Sequence, residues 1–382
     1  MIRVWQTKLS TGSQMTVFWH VDDLHVSHAD DFEITKLGHY LSNIYGGLSV
    51  RRGLIHDVLG INVDYSTAES DGTVVIDQIP YIKNILKEFP ERLGRSKATP
   101  AAEHLFTVRP ENEATYLPEE QAVFFHRFTA QLLFIAPRAR RDIQLAVAFL
   151  TTRVKKPDED DWAKLRRVLQ YLLGTLNLKL TLKVDDLSTI RWFVDASYAI
   201  HPDCKGHTGA VMALEKGATT STSTKQKVNV RSSTEGELVG ADDALPTSIW
   251  GKYFIEAQGH KVKENIMCQD NKSAMLLETN GKFSSSRRTK HIKNKYFLIT
   301  DKIDQDDLKL EYCPTDKMWA DRHTKPKQGL PFRQDRAMVM NCPVDYFEEE
   351  SKLEDFDTVD GVTKPDSYVF VKVGGDRIPV KQ

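Results

Sequence analysis

Cysteine is scarce in this 382-residue chain: Cys204, Cys268, Cys313 and Cys342 stand far apart and form no paired framework. That spacing excludes a disulfide scaffold and fits a reducing compartment. No apolar run approaches a membrane span, and the start, Met1 to Lys8, lacks the apolar core of a signal peptide. An excess of either charge is missing too. With 52 Lys and Arg against 53 Asp and Glu the net charge is -1, so any pull toward nucleic acid has to be local. No internal repeat is evident. At 40% hydrophobic residues the chain is long enough for two or three domains with real cores, and it reads as folded, soluble and intracellular, without a membrane partner.

What stands out against this background is a set of four separated carboxylates in the second half. Asp195 lies near the end of the apolar run Thr189-Ile-Arg-Trp-Phe-Val-Asp-Ala-Ser-Tyr198, which predicts a strand. Glu237 follows Ser232-Ser-Thr, residues that favour a helix start. Asp270 ends the short strand-like Ile266-Met-Cys-Gln-Asp270 and precedes a helical stretch, Asn271 to Leu277. Asp321 sits in Asp316 to Lys325, read as helical, after the strand Leu308 to Tyr312. Acids at the ends of neighbouring strands and on adjoining helices can converge, and a hard cation wants carboxylate oxygens.

The words around these acids resemble the ribonuclease H domain of copia-type LTR retrotransposons. Phe193-Val-Asp-Ala-Ser197, Lys205-Gly-His-Thr-Gly209, Ser223-Thr-Lys-Gln-Lys227, Ser232-Ser-Thr-Glu-Gly-Glu-Leu238, Gln269-Asp-Asn-Lys-Ser-Ala274, Arg288-Thr-Lys-His-Ile292, Tyr312-Cys-Pro-Thr315 and Ala320-Asp-Arg-His-Thr-Lys-Pro326 occur in the family's order. The resemblance implies a mixed five-stranded sheet with helices. It also implies that Asp195, Glu237, Asp270 and Asp321 hold two Mg2+ (or Mn2+) ions and cleave the RNA strand of an RNA–DNA hybrid. Two such cations, roughly 4 Å apart, would clamp the scissile phosphate. Glu235 is the alternative helix acid. Arg322-His323 depart from the family, which has apolar residues after this Asp.

A second acidic pair, Asp22-Asp23, lies in Met15-Thr-Val-Phe-Trp-His-Val-Asp-Asp-Leu-His-Val-Ser-His28, where alternating apolar residues predict a hairpin with the acids at its turn. The word resembles the Tyr-Val-Asp-Asp motif of the reverse-transcriptase palm, with His20 in place of Tyr. Further words follow the copia pattern through thumb and connection: Asp57 to Tyr65, Gln78 to Leu86, Ala98 to Ala101, Arg141 to Ala146 and Leu169 to Thr175. Only Met1 to Gln14 precede the hairpin, too few for the first palm acid and the fingers. The expectation is a remnant that does not polymerise DNA alone.

Local basic charge is concentrated in Lys282, Arg287, Arg288, Lys290, Lys293 and Lys295, with no acid among them. This stretch is expected either to meet hybrid phosphates or to be a solvated helix face. Arg138-Ala-Arg-Arg141 is read as capping neighbouring helices. His201-Pro-Asp-Cys-Lys-Gly-His207 has ligand-like spacing, but a structural zinc site needs a fourth ligand, and Pro202 and Gly206 mark a loop between strands. His20, His25 and His28 cluster as well, and packing or exposure suits them better than metal.

Periodicity places a helix on Ile34, Leu37, Leu41 and Ile44, matching a palm helix under a sheet, a strand from Leu54 to Tyr65, and its partner at Thr73 to Ile76. Further helices carry Ile79 to Phe89, Phe124 to Phe134, Ile143 to Leu150 and Trp162 to Leu173, the last stopped by Gly174. A kink or break is expected at Pro246. The organisation read from these signals is an α/β (α+β) chain. It comprises a truncated palm and start of thumb (1–93), a linker or loop (94–118), a helical thumb or connection region (119–176), a ribonuclease H-like domain (177–341) and an acidic flexible tail (342–382). Tyr368-Val-Phe-Val-Lys-Val373 could form one strand in that tail. The leading function is metal-dependent cleavage of RNA in hybrids. The alternatives are a catalytically silent nucleic-acid-binding remnant, or a fragment whose polymerase activity needs upstream polyprotein segments.

Overall fold

The N-terminal residues form hairpins because their apolar positions alternate and tight turns interrupt them. A computed structural model describes residues 2–8, 14–184, 186–281 and 293–348. Strands β1 (Ile2–Lys8), β2 (Gln14–His20) and β3 (Asp23–Ser27) make an antiparallel sheet in that order. His20 pairs with Asp23, so Val21 and Asp22 are the turn, and Asp23 opens β3. Helix α1 (Asp31–Tyr45) is capped by the Asp30 carboxylate, which accepts from the Phe32 N–H. Its apolar stripe is present, but none of its residues is buried. Ile34, Leu37 and Leu41 are half-buried and Ile44 is exposed.

The segment read as one strand from Leu54 to Tyr65 is instead a hairpin of β4 (Ile55–Val58) and β5 (Ile61–Asp64). Leu59 and Gly60 have φ of 55° and 74°, the left-handed pair that a two-residue hairpin turn demands. Alternation could not show this, because Leu59 looks like one more apolar strand residue. After α2 (Ala68–Asp71), strand β6 (Thr73–Asp77) pairs with β5.

Helices α3 (Ile79–Glu88), α4 (Glu119–Ile135), α5 (Gln144–Thr151) and α6 (Glu159–Leu173) share a core that includes Ile85, Phe125, Phe128, Phe149 and Leu165. No helix or named strand lies between 94 and 118. Asp158 and Asp161 close α6 with a reciprocal capping box. Gly174 ends it, and a Cβ there would come within 2.6 Å of the Phe347 ring. Strand β7 (Leu180–Lys183), beyond residue 177, pairs with β6 and completes a four-stranded sheet β4-β5-β6-β7.

The second half builds a five-stranded mixed sheet from β8 (Thr189–Ser197), β9 (His207–Ala213), β10 (Thr220–Lys225), β11 (Glu264–Gln269) and β12 (Lys309–Tyr312). The order is β10-β9-β8-β11-β12, antiparallel from β10 to β8 and parallel from β8 to β12. Helix α7 (Ser233–Ala257) covers one face, packing Ala241, Ala244 and Leu245 on Val194, Ala210 and Met267. It runs through Pro246 without the break that was one of the two expectations there. One lost backbone hydrogen bond is tolerated in a helix held to the sheet by the buried Ala244, Leu245 and Ile255. Helices α8 (Lys272–Asn280) and α9 (Lys293–Asp304) flank α7, and α10 (Gly329–Met340) covers the other face through Val339 and Met340. The expected flexible tail is docked over its first residues. Glu348 accepts from the backbone and side-chain N–H groups of Asn177 at 2.6 and 3.0 Å. Residues 349–382, with the expected strand at Tyr368 to Val373, lie outside the described residues.

Candidate metal centre

Two parallel strands bring the first acids together. The register pairs Cys268 with Phe193, so Asp270, just past β11, comes level with Asp195 near the end of β8. Asp195 is buried in the central strand. Glu237 is delivered from the start of α7, whose N-cap is Ser232. The alternative acid, Glu235, is used at that helix end: its carboxylate accepts from the Arg231 N–H at 2.7 Å and its own N–H donates to Ser232 Oγ. Ligand oxygens of Asp195, Glu237 and Asp270 all lie within 4.8 Å of one another.

Asp321 is held differently. The stretch expected to be helical forms two short 3-10 turns, Thr315–Lys317 and Asp321–His323. The second turn packs closely on β9 at Gly209, where a Cβ would lie 2.8 Å from the Ala320 carbonyl oxygen. Asp321 Oδ1 is ion-paired with Lys325, and Oδ2 is 2.5 Å from Lys327 Nζ. Lys325 Nζ is also 3.7 Å from Asp195 Oδ1, while the Thr324 hydroxyl donates to Asp195 Oδ2. Lys327 reaches Asp335 at 2.8 Å as well. Three of the four expected acids thus meet directly, and Asp321 joins them through a lysine.

Electrostatics single out the same place. Burial pushes the Glu237 carboxyl up to about 9, with Asp195 and Asp270 adding to the rise and the Ala196 N–H opposing it. Burial raises Asp195 too, against the pull of Lys325 and Thr324. Asp270 accepts a hydrogen bond from Thr315 Oγ1 at 2.8 Å. Buried carboxylates that resist sharing negative charge suit a hard divalent cation, whose charge would remove that penalty. The donor set is all oxygen, as Mg2+ and Mn2+ prefer.

Other expected sites fare variously. Asp22 lies in the hairpin turn and Asp23 opens β3, so the turn is Val21-Asp22, one residue earlier than the expected Asp22-Asp23. Lys282, Arg287, Arg288 and Lys290 lie outside the described residues; Lys293 and Lys295 begin α9, and their side chains are likewise outside them. Of Arg138, Arg140 and Arg141, only Arg138 caps a helix, donating to the Phe134 carbonyl. Arg140 and Arg141 are buried, and Arg141 donates to the Thr219 carbonyl at 2.6 Å. In the His201 to His207 loop the two imidazoles bond to each other, Nε2 to Nδ1 at 3.0 Å, and His207 meets Ser223 Oγ at 2.8 Å. His25 packs edge-on against His56. Arg322 and His323, polar where apolar residues were expected, are nevertheless buried, and Arg322 donates to the Asp142 carbonyl at 2.8 Å. Sequence reasoning missed Thr324, Lys325 and Lys327. A lysine four residues after an acid, as in Asp321 and Lys325, is the one local signal it could have used.

No protein-family model matches the chain. The chain is 27% identical over 331 residues to the retrovirus-related Pol polyprotein from transposon TNT 1-94 of Nicotiana tabacum, covering 84% of this chain and 24% of that protein. It is 31% identical over 197 residues to the retrovirus-related Pol polyprotein from transposon RE2 of Arabidopsis thaliana, covering 51% of this chain and 13% of that one. It therefore spans a quarter or less of the length of these relatives. Among solved structures, an RNase H1 isolated from compost aligns with 14% identity and a TM-score of 0.24, over 36% of this chain and 93% of that one. Over most of its length, the chain is homologous to Pol polyproteins of copia-type transposons.

Proposed function

We propose that this chain hydrolyses the RNA strand of RNA–DNA hybrids with a divalent cation, Mg2+ or Mn2+, held by Asp195, Glu237 and Asp270. The observation that carries the reading is the meeting of three carboxylates within 4.8 Å, on the strand pair and helix where the retrotransposon words had put them. Among the described residues this is the one place where three such ligands converge. The relation to Pol polyproteins supports a nucleic-acid substrate.

A bound divalent cation supplies positive charge to a scissile phosphate and makes water a better nucleophile. The protein's part is to hold its acids ready. Asp195 and Glu237, fixed in β8 and α7, give two ligand directions, and Asp270, steadied by Thr315, gives the third. The basic stretch from Lys282 to Lys295 is assigned to the phosphates of the hybrid, as a contact independent of base sequence. Segment 177–341 is proposed as the catalytic unit, with 1–93 and 119–176 as palm and thumb or connection remnants. DNA synthesis is not assigned to this chain alone, because Asp22 and Asp23 join no third ligand among the described residues.

The test is cleavage of a labelled hybrid by the full chain in Mg2+ or Mn2+. Asp270→Asn, which removes a ligand at nearly constant volume, is expected to abolish it. A folded protein that leaves the hybrid intact in both metals ends this reading.

A further inference from the structure

Both oxygens of Asp321 are already claimed by ammonium groups. Lys325 holds Oδ1, and Lys327 lies 2.5 Å from Oδ2. The Asp321 side chain is only 4% exposed, so little of it is open to another partner. Lys327 is itself fixed by Asp335 at 2.8 Å, and Asp335 is buried on α10. Lys325, whose side chain is 45% exposed, also lies 3.7 Å from Asp195 Oδ1. The three remaining acids form a set of their own.

We propose that Lys325 and Lys327 hold Asp321 out of the metal shell, so that the site takes one divalent cation, with the Lys325 ammonium supplying positive charge between Asp195 and Asp321. This rests on the hydrolase reading above and narrows it: Lys325 and Lys327 become positioning residues that set the number of cations. An ammonium group at hydrogen-bonding distance from a carboxylate satisfies much of the demand a second cation would meet. A second cation between Asp195 and Asp321 would have to expel both lysines, one of them already paired to Asp335.

The experiment counts cations. Mn2+ binding to the full-length protein is followed by electron paramagnetic resonance of free Mn2+ and by calorimetry. Wild type is expected to bind one Mn2+ per chain. Asp321→Asn is expected to keep that stoichiometry, and Asp270→Asn to weaken binding by at least ~10-fold. The Lys325→Met/Lys327→Met double variant frees Asp321 and is expected to bind two, whereas Lys325→Arg, which retains the charge, is expected to bind one. Circular dichroism confirms that each variant is folded, and should the double variant not fold, wild type and Asp321→Asn decide the matter. Two Mn2+ ions on wild type, falling to one in Asp321→Asn, overturn the proposal. Hybrid cleavage on the same samples separates the two claims. Two ions with cleavage intact end this inference and leave the hydrolase reading standing; one ion with no cleavage does the reverse.

Discussion

Arg140 and Asp142 form a fully buried fork, with Arg140 Nε 2.9 Å from Asp142 Oδ1 and Nη2 2.7 Å from Oδ2. Tyr171 donates to Asp142 Oδ2 at 2.6 Å, and Arg140 reaches the Thr175 carbonyl at 3.0 Å. The pair ties the helical region to the turn after α6. Removing one partner leaves the other charge buried alone, so Arg140→Met is expected to cost about 3–5 kcal/mol in a urea melt. Arg140→Met/Asp142→Leu is expected to recover part of that loss. A single variant as stable as wild type would show that the pair contributes nothing.

Glu237 links stability to metal. Its folded carboxyl is raised to about 9 from an ordinary 4.5. A raised acid takes up a proton on folding, so this contribution is present below pH 4.5 and is lost as pH rises toward 9. Without metal at pH 7, Glu237→Gln is expected to be more stable than wild type by on the order of 3 kcal/mol. Adding Mn2+ should stabilise wild type and leave the variant nearly unmoved. Thermal melts with and without metal read both effects, and equal responses to Mn2+ would remove Glu237 from the centre.

The buried imidazoles predict acid sensitivity. Burial lowers His207 to about 3 and His201 to about 4, and holds His323 well below its ordinary value, with Arg322 and Arg141 lowering it further. Each is kept neutral by the fold, so its contribution is full above pH 6.5 and is lost as pH falls through 6.5 toward the lowered values. Asp195 and Glu237 act in the opposite sense, so the comparison has to be between variants. The stability advantage of wild type over His207→Gln is expected to shrink by about 1 kcal/mol between pH 7 and 5.5. A constant advantage would mean that His207 takes up protons alike in the folded and unfolded chain.

Contacts from the basic stretch should appear as salt dependence. Each lost phosphate contact flattens the slope of log affinity against log salt by about 0.7–0.9. Arg287, Arg288 and Lys290 changed together to Gln are expected to flatten it and to weaken hybrid binding alike for every sequence. An unchanged slope would identify the stretch as a solvated face.

Glu237 could be placed at a helix start, and Asp195 and Asp270 at strand ends, from the residues beside them. Strand ends, caps and apolar faces depend on neighbours a few residues away. The same local signals marked α3 to α6 and the stop at Gly174. They failed where one residue changes the path, as at Leu59-Gly60.

What the sequence determined by itself was therefore the local identity of each piece and the order of the retrotransposon words. Tertiary structure decided the rest: the parallel register that levels Asp270 with Asp195, the sheet that takes β7, the burial of Arg140, Arg322 and His323, and the capture of Asp321 by Lys325 and Lys327. The physical reason is that a charge's fate depends on desolvation and on partners remote in sequence. Asp195 and Thr324 are 129 residues apart, and Arg322 and Asp142 are 180. No periodicity encodes such pairings, because they exist only once packing has excluded water from both groups.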